Sequence, residues 1–219
     1  PTTTVPARTS TTVRVEAGVE PAWLADPARV FPVTIDPSLT ATVASPARDT
    51  MVFNGANANV NLGTNPELWV AVDGATLVRS YLYFDLPAAV VGKWVNNASL
   101  GLTTTAANCS AASPPALQVG APREAWAENT LTWNNQANAS APLDPDAGTT
   151  TPAPPCSLGK VSLDATWLVW KWAKNVEANY GMVIRDAAES TGTPPRSRQF
   201  ASNKAATAAN KPTLTISYG

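Results

Sequence analysis

Apolar and polar residues alternate between residues 78 and 86. Leu82 and Phe84 fall on one side of this segment, whereas Tyr81 and Tyr83 fall on the other side, together with charged residues. Alternation with a period of two, rich in aromatic residues, predicts a strand with one buried face and one face in solvent. We therefore predict a half-buried strand at the centre of an antiparallel sheet.

A second alternating segment occupies residues 67–72, directly before the first. Asp73 and Gly74 separate the two segments, and glycine readily adopts the positive φ that a tight hairpin turn requires. The two segments are thus predicted to pair as a hairpin on which the remaining chain packs.

Short apolar segments separated by Gly, Pro and Asn recur along the chain, a pattern typical of an all-β domain. A short helix is predicted over residues 167–174, with Thr166 as its cap. We predict an antiparallel β-sandwich, or jelly roll, with this one short helix and an N-terminal docking segment. The further strands are expected at residues 49–53, 95–105 and 117–119, near Trp133, and at residues 161–163, 180–185 and 212–218.

Residues 1–45 differ in composition from the remainder. Residues 1–12 are rich in Thr and Pro and have little capacity to pack, which predicts a linker. The residues that follow carry enough apolar side chains to dock on the domain predicted at 46–219, and we expect the chain to be a monomeric fragment of a longer protein. The docking side chains are expected to be Trp23, Leu24, Val30, Phe31 and Ile35.

Charge and composition exclude several classes of function. The chain has 15 basic and 16 acidic residues and a net charge of -1, whereas nucleic-acid and anionic-membrane partners favour basic surfaces. No apolar run approaches the ~18 residues of a membrane span. Histidine is absent, which excludes Ser-His-Asp catalysis and His-ligated zinc. The remaining routes to catalysis are carboxylate pairs, Lys, Tyr or a bound metal. We expect no catalysis, no nucleic-acid binding and no membrane insertion.

The two cysteines, Cys109 and Cys156, lie in loop sequences rich in Pro, Ser and Ala, without the spacing of a metal site. Unpaired cysteines are usually buried in apolar surroundings, which these flanking sequences do not provide. We predict a disulfide between two loops, formed in an oxidising compartment, with two unpaired thiols as the alternative.

Five aromatic residues are predicted to face away from the core. Trp69 has the opposite parity to its apolar strand neighbours, so we expect its ring to lie beside Tyr81 and Tyr83; Trp167 and Trp170 occupy helix positions that packing explains less easily. Aromatic rings bind sugars by stacking on the apolar faces of pyranose rings. These residues are the predicted ligand-binding site. The alternative is that another layer or the N-terminal segment covers the strand face, which would make its rings core or interface.

Six segments of the chain resemble, in the same order, those of the DNRLRE-type domain of secreted bacterial proteins, a relative of carbohydrate-binding jelly-roll modules. Residues 23–37 are also similar to the segment that precedes such domains in very large Rhs/YD-repeat proteins, many of which are polymorphic toxins. The resemblance implies an extracellular β-sandwich that binds glycans and has no catalytic motif. The six segments are residues 49–52, 61–68, 79–86, 126–135, 179–184 and 212–216.

The remaining tryptophans of the matched region are expected in the core. Trp126, Trp133 and Trp172 match the family pattern. Trp172 also shares a helix face with Leu168 and Val169, and this face is expected to pack on the sheet. Trp69, Trp167 and Trp170 stand where the family would have polar residues, so the resemblance does not define their specificity.

Structural calcium is a further expectation, because jelly-roll glycan modules often carry this ion. Asp49, Asn54 and Asn61 lie in a segment rich in oxygen ligands. The alternative is that these asparagines simply form turns.

Together these patterns predict a non-catalytic extracellular module, secreted or on the cell surface, that binds an envelope or cell-wall polysaccharide on behalf of a larger secreted protein. The alternative is a purely structural or docking domain of an Rhs-type polymorphic toxin, whose partners are other domains of the parent protein. A polysaccharide-active enzyme is the third possibility.

Overall fold

A computed structural model describes residues 2–4, 16–18, 20–28, 38–109, 116–136, 149–151, 156–189 and 195–219. The chain divides into two compact units, Pro1–Leu39 with Gly219, and Thr40–Tyr218. No helix in the described ranges has the length and apolar character needed to cross a membrane.

The first unit contains a strand in the segment predicted to be a linker. Strand β1 (Thr2–Thr4) pairs in antiparallel fashion with β2 (Glu16–Gly18), and the short helix α1 (Pro21–Leu24) follows. The predicted docking contacts lie outside the described part of the chain. The structure describes the backbone but not the side chains of Trp23 and Leu24, and the other three residues lie outside the described ranges. These five residues are Trp23, Leu24, Val30, Phe31 and Ile35.

Eleven strands within the described residues form one antiparallel sheet, and one eight-residue helix, α2 (Thr166–Ala173), follows the eighth of these strands along the chain. The predicted all-β class is therefore confirmed. The strands are β3 (Leu39–Val43), β4 (Arg48–Phe53), β5 (Glu67–Asp73), β6 (Thr76–Tyr83), β7 (Val95–Asn108), β8 (Leu117–Gly120), β9 (Thr149–Thr151), β10 (Gly159–Asp164), β11 (Met182–Asp186), β12 (Arg196–Ala201) and β13 (Thr213–Tyr218).

The sheet folds into a sandwich at strands that change partner along one edge. Strand β6 pairs with β4 on one edge, and on the other edge with β5 near its start and β11 near its end. Strand β7 pairs with β10 on one edge, and on the other with β13 and then β12, with a register shift within β12. Strands that switch partners at a bend or bulge form the corners of β-sandwiches.

The predicted hairpin is present as β5 and β6, with Gly74 at a φ of 58° in its turn. Its predicted inward residues are buried: Leu68, Leu82 and Phe84 are at most 1% exposed. Burying one such side chain contributes roughly 1.5–3 kcal/mol, which explains why this pair of strands lies at the centre of the fold.

The hairpin register separates Trp69 from the two tyrosines. The turn pairs Ala71 with Val78, and directly opposite residues share a face of the sheet. Trp69, two residues from Ala71, therefore lies on the face of Val78, whereas Tyr81 and Tyr83 lie on the opposite face. The expectation that the three rings lie side by side is wrong, because the two-residue turn sets a register that the parity of each strand alone does not reveal.

Helix α2 forms where it was predicted, but Thr166 is not its cap. The cap position is Ala165, and the carboxylate of Asp164 accepts a hydrogen bond from the Thr166 backbone N–H at 2.9 Å. The Thr166 hydroxyl instead accepts the backbone N–H of Ala98, in β7, at 2.9 Å. Thr166 therefore fastens the helix to the sheet.

The predicted disulfide is confirmed. It joins Cys109, directly after β7, to Cys156, shortly before β10, with a Cα–Cα distance of 5.9 Å. The guanidinium of Arg198, in β12, donates to the Cys156 sulfur at 3.8 Å. Two loops that leave neighbouring strands are thereby linked covalently.

Candidate functional site

The aromatic face of β6 is covered rather than solvent-exposed. Tyr81 is 3% exposed and meets Trp126 edge-on, with ring centroids 5.6 Å apart. Val52, Leu131 and Val183 complete the buried part of the cluster. The cover is the irregular segment 121–136, in which the residues around Trp133 form turns instead of the predicted strand. The predicted wet face is thus a second core. We call Tyr81, Tyr83, Trp126 and Trp133 the covered aromatic group.

Two arginines, of which Arg79 is buried, and hydrogen bonds hold this covered group together. The Arg79 guanidinium lies 4.3 Å from the centre of the Trp133 ring and forms two 2.8 Å bonds with the carboxylate of Glu189. The Tyr81 hydroxyl donates to Gln136 Oε1 at 2.7 Å, and burial raises the pKa of Tyr81. Arg48 lies 3.8 Å from the centre of the Tyr83 ring. The core assignments of Trp126, which is 9% exposed, and of Trp133, which packs on this cluster, agree with the sequence expectation.

Trp69 belongs to a different cluster on the other face of the hairpin. Its ring lies 5.9 Å from that of Phe53, and it packs beside Ala71 and Val78. Its indole N–H donates to the carboxylate of Glu67 at 3.1 Å. Ligand binding at Trp69 or Tyr83 stays a prediction, but the three rings form no common platform.

Three other tryptophans form a group at the surface. Trp167 and Trp170 stack with ring centroids 4.5 Å apart and an interplanar angle of 8°, and Trp94 meets Trp170 edge-on at 5.7 Å and 72°. Trp94 is 57% exposed and Trp167 is 47% exposed. We call these three residues the exposed aromatic group. It contains two of the residues predicted to bind ligand.

Helix α2 positions two of these rings. Leu168, Val169 and Trp172 are at most 3% exposed, so the helix buries the face that they share against the sheet. The predicted core position of Trp172 is confirmed. Trp167 and Trp170 are three residues apart, a spacing that brings side chains together on a helix, and they lie outside this buried face.

Trp94 reaches the group from the turn before β7, and sequence reasoning missed it. The backbone N–H of Gly92 donates to the carbonyl of Ala173 at 2.8 Å, and the Lys174 ammonium donates to the Gly92 carbonyl at 2.9 Å. The same ammonium lies 5.8 Å from the centre of the Trp94 ring. The turn is thus tied to the end of α2, and only the tertiary structure shows that Trp94 and the helix tryptophans meet.

Asp49, one of the predicted calcium ligands, is engaged in an ionic cluster. Its side chain accepts from the Lys204 ammonium at 2.8 Å and from the Asn203 backbone N–H at 2.6 Å. Lys204 also contacts the carboxylate of Glu128, which accepts the Asp49 backbone N–H at 2.7 Å. Burial raises the pKa of Asp49 more than the hydrogen bond from Lys204 lowers it. This cluster ties the covering segment to β4.

The two predicted asparagine ligands bond to backbone groups. Asn54 bridges the carbonyl of Ala75 and the N–H of Leu77, and Asn61 donates to the carbonyls of Glu128 and Leu131. Within the described ranges, no group of three or more acidic, Cys or His side chains is placed to hold a metal. Calcium binding stays a prediction.

An antiparallel β-sandwich that presents grouped tryptophans at its surface suits a carbohydrate-binding module. The chain belongs to carbohydrate-binding module family 96, whose family model matches residues 40–218. No curated protein matches the chain. The expected relation to carbohydrate-binding modules is confirmed, whereas the DNRLRE-type assignment and the Rhs-type parent protein stay predictions.

Proposed function

We propose that this chain is a non-catalytic module that binds an envelope or cell-wall polysaccharide through the exposed aromatic group. The observation that carries the proposal is the grouping of Trp94, Trp167 and Trp170 at the surface. Single exposed apolar residues are ordinary, but a contiguous aromatic patch marks an interaction site. Membership of a carbohydrate-binding family supports glycan as the partner.

The chemistry of such a patch suits a long and repetitive ligand. Each ring offers an apolar surface to the C–H face of one sugar, and an open surface buries only part of its ligand. Affinity for one sugar is therefore low, and a polysaccharide compensates because it presents many equivalent segments. The disulfide supports secretion or display at the cell surface, where an oxidising environment preserves it.

The second candidate function is docking on another domain of a larger parent protein, such as an Rhs-type toxin. Val91 and Val176, which lie in the segments that flank the tryptophans along the chain, are 49% and 58% exposed. Aromatic residues are also enriched at protein interfaces. Under this hypothesis, purified polysaccharides do not bind, and the exposed aromatic group contacts protein.

Affinity electrophoresis in gels with soluble polysaccharides, together with pull-down on insoluble cell walls, separates the two functions. We expect at least one polysaccharide to retard the migration of the chain. The chain should not cleave that polysaccharide, so no new reducing ends should appear. The double variant Trp94→Ala/Trp167→Ala should lose this retardation. Leu158→Ala is the matched control, because Leu158 is also exposed, at 69%, but lies outside the group. No retardation by any polysaccharide, or equal retardation of the double variant, would contradict the proposal.

We also propose a structural calcium ion, held by Asp49, Asn54 and Asn61, as a secondary feature. Binding to the folded state alone raises the melting temperature by mass action. Calcium should therefore raise the melting temperature, and a chelator should reverse the increase. Identical melts with calcium and with chelator would exclude the ion.

A further inference from the structure

Lys204 lies against two carboxylates in the ionic cluster that it forms with Asp49 and Glu128. Its ammonium donates to the Asp49 Oδ1 at 2.8 Å and also contacts the Glu128 carboxylate. A carboxyl C–O bond is about 1.2 Å long, so the Lys204 Nζ lies no more than about 4 Å from the Asp49 Cγ. Atoms that are poised to react lie about 3–3.5 Å apart, so a small movement of the lysine side chain brings these two atoms within reach.

The Asp49 carboxyl is held in one position. Its side chain is fully buried, and its Oδ2 accepts the backbone N–H of Asn203 at 2.6 Å. A backbone N–H aimed at a carboxyl oxygen stabilises the negative charge that develops there when a nucleophile attacks the carbon. The two carboxyl oxygens of Asp49 are therefore not equivalent, because Oδ2 is bound by the backbone whereas Oδ1 faces the amine.

The turn that carries Lys204 is fixed to the segment before β5. The backbone N–H of Ser202 donates to the carbonyl of Pro66 at 3.0 Å, and its hydroxyl donates to the carbonyl of Asn65 at 2.9 Å. The same hydroxyl accepts the Lys204 backbone N–H at 3.0 Å. Holding two groups in place in this way replaces an encounter in solution by an intramolecular step, which can accelerate a reaction by many orders of magnitude.

Glu128 is placed to move protons between the two groups. Its carboxylate contacts the Lys204 ammonium and accepts the Asp49 backbone N–H at 2.7 Å. Its backbone is fixed as well, because its carbonyl accepts the side-chain amide of Asn61 at 2.8 Å and lies where a Cβ atom at Gly63 would be only 2.3 Å away. A carboxylate within hydrogen-bond reach of an ammonium can act as its general base and can then return the proton to a leaving oxygen.

We propose that Lys204 and Asp49 condense into an intramolecular amide, an isopeptide bond, with Glu128 as the proton carrier. The Glu128 carboxylate takes one proton from the Lys204 ammonium, and the resulting amine attacks the Asp49 Cγ. The N–Cγ bond forms and the Cγ–Oδ1 bond breaks, and Oδ1 leaves as water with two protons that began on the ammonium. Oδ2 stays as the amide oxygen. One ammonium and one carboxylate thus give one amide and one water, and no further reactant is needed.

The amide forms a covalent clamp across the domain. Asp49 lies near the start of the matched residues 40–218 and Lys204 near their end, 155 residues apart. A cross-link that closes so long a loop restricts the unfolded chain and therefore stabilises the fold. The ionic cluster described above, and any calcium ion bound to the Asp49 carboxylate, belong to the chain before condensation.

Intact-mass measurement of the full chain, unfolded and with its disulfide reduced, tests for this bond. After incubation of the folded protein, most of the chain should be lighter than its sequence mass by one water molecule. Protease digestion and tandem mass spectrometry should then find one branched peptide that joins Asp49 to Lys204. A chain that keeps its full sequence mass after prolonged incubation, or a digest in which these two residues lie only in separate peptides, would overturn the proposal.

Three variants test the roles of the side chains. Lys204→Arg keeps the positive charge, but its protonated guanidinium is not a nucleophile, so this variant should keep its full mass. Lys171→Arg is the matched control, because Lys171 also bonds to a carboxylate, that of Glu177 at 2.6 Å, and this variant should still lose water. Glu128→Gln should form the bond about a hundredfold more slowly, since proton transfer by a positioned side chain typically contributes at least that factor.

The same measurements distinguish the isopeptide bond from water loss elsewhere. Succinimide formation at Asp73, which precedes Gly74, also removes one water molecule, but it joins no two peptides and persists in Lys204→Arg. Water loss that Lys204→Arg retains would therefore contradict the proposal, and an unchanged rate in Glu128→Gln would remove Glu128 as the proton carrier. If Lys204→Arg does not fold, the branched peptide of the wild-type chain decides, because only a bond between Asp49 and Lys204 produces it.

Discussion

The covered and exposed aromatic groups contain the same kinds of side chain in opposite environments. Both place a cation near a ring, Arg48 at 3.8 Å from the Tyr83 centroid and Lys174 at 5.8 Å from the Trp94 centroid. The covered group lies under segment 121–136, whereas Trp94 is more than half exposed. Aromatic content and strand parity therefore do not show whether another segment lies on a ring.

The covered group also satisfies polar atoms of its rings within the protein. In the covered group, the hydroxyl of Tyr81 and the indole N–H of Trp126 both find acceptors within the protein. Buried polar atoms require such partners, and each contributes to holding the covering segment. We therefore expect substitutions in the covered group to change stability and those in the exposed group to change binding.

Trp126→Ala should have the largest effect on stability. Removing a large buried ring leaves a cavity and costs about 3–5 kcal/mol in the free energy of unfolding. Denaturant unfolding at equilibrium measures this loss, with Trp94→Ala as the matched exposed substitution. A loss below about 1 kcal/mol would show that segment 121–136 does not form a core with the sheet.

The ionic cluster that ties segment 121–136 to β4 should produce a pH dependence. The pKa of Asp49 is raised by burial, so the folded chain keeps this proton at pH values where the unfolded chain has lost it. The resulting stabilisation is fully present below the unfolded value of 3.8 and is lost as pH rises through the folded pKa. The free energy of unfolding of wild type, minus that of Asp49→Asn, should fall with pH over this window. A difference that rises with pH would mean that Lys204 dominates over burial.

Tyr81→Phe should have a smaller effect. It removes the hydrogen bond to Gln136 while the ring stays packed, and one such bond contributes about 1 kcal/mol. Equilibrium unfolding of the two chains gives the difference. An unchanged stability would show that this bond does not hold the covering segment.

Trp167→Ala should have the smallest effect on stability, below about 1 kcal/mol, because the ring is half-exposed. The melting temperature of the variant, compared with that of Trp126→Ala, checks this. A loss as large as that of Trp126→Ala would assign the exposed aromatic group to the core and remove the contrast between the two groups.

Local sequence patterns predicted most of the sheet, the hairpin, helix α2 and the disulfide. They did not predict β12, because its buried side includes Arg196 and Arg198, which a pattern of apolar residues cannot identify. Arg196 is buried against the carboxylate of Asp186, with bonds of 2.6 and 2.8 Å, and this partner is known only from the structure. Buried charge is tolerated only where such a partner is present.

The candidate site was predicted only in part, because contacts between distant parts of the chain complete it. The spacing of residues along the predicted helix placed Trp167 and Trp170 outside its buried face, because the face that a helix residue occupies depends only on its position in the local sequence. Trp94 joins them through a long-range contact, and Tyr81 is covered by an irregular segment without periodicity. Sequence periodicity describes an element, whereas the site depends on which elements meet.

The most direct test of the account is NMR observation of the eight tryptophan indole signals during titration with a polysaccharide that retards the chain. We predict that the signals of Trp94, Trp167 and Trp170 shift together and that the signal of Trp133, packed against Arg79, stays in place. If the chain is saturated with polysaccharide while the signals of Trp94 and Trp167 remain unchanged, the exposed aromatic group is not the polysaccharide-binding site.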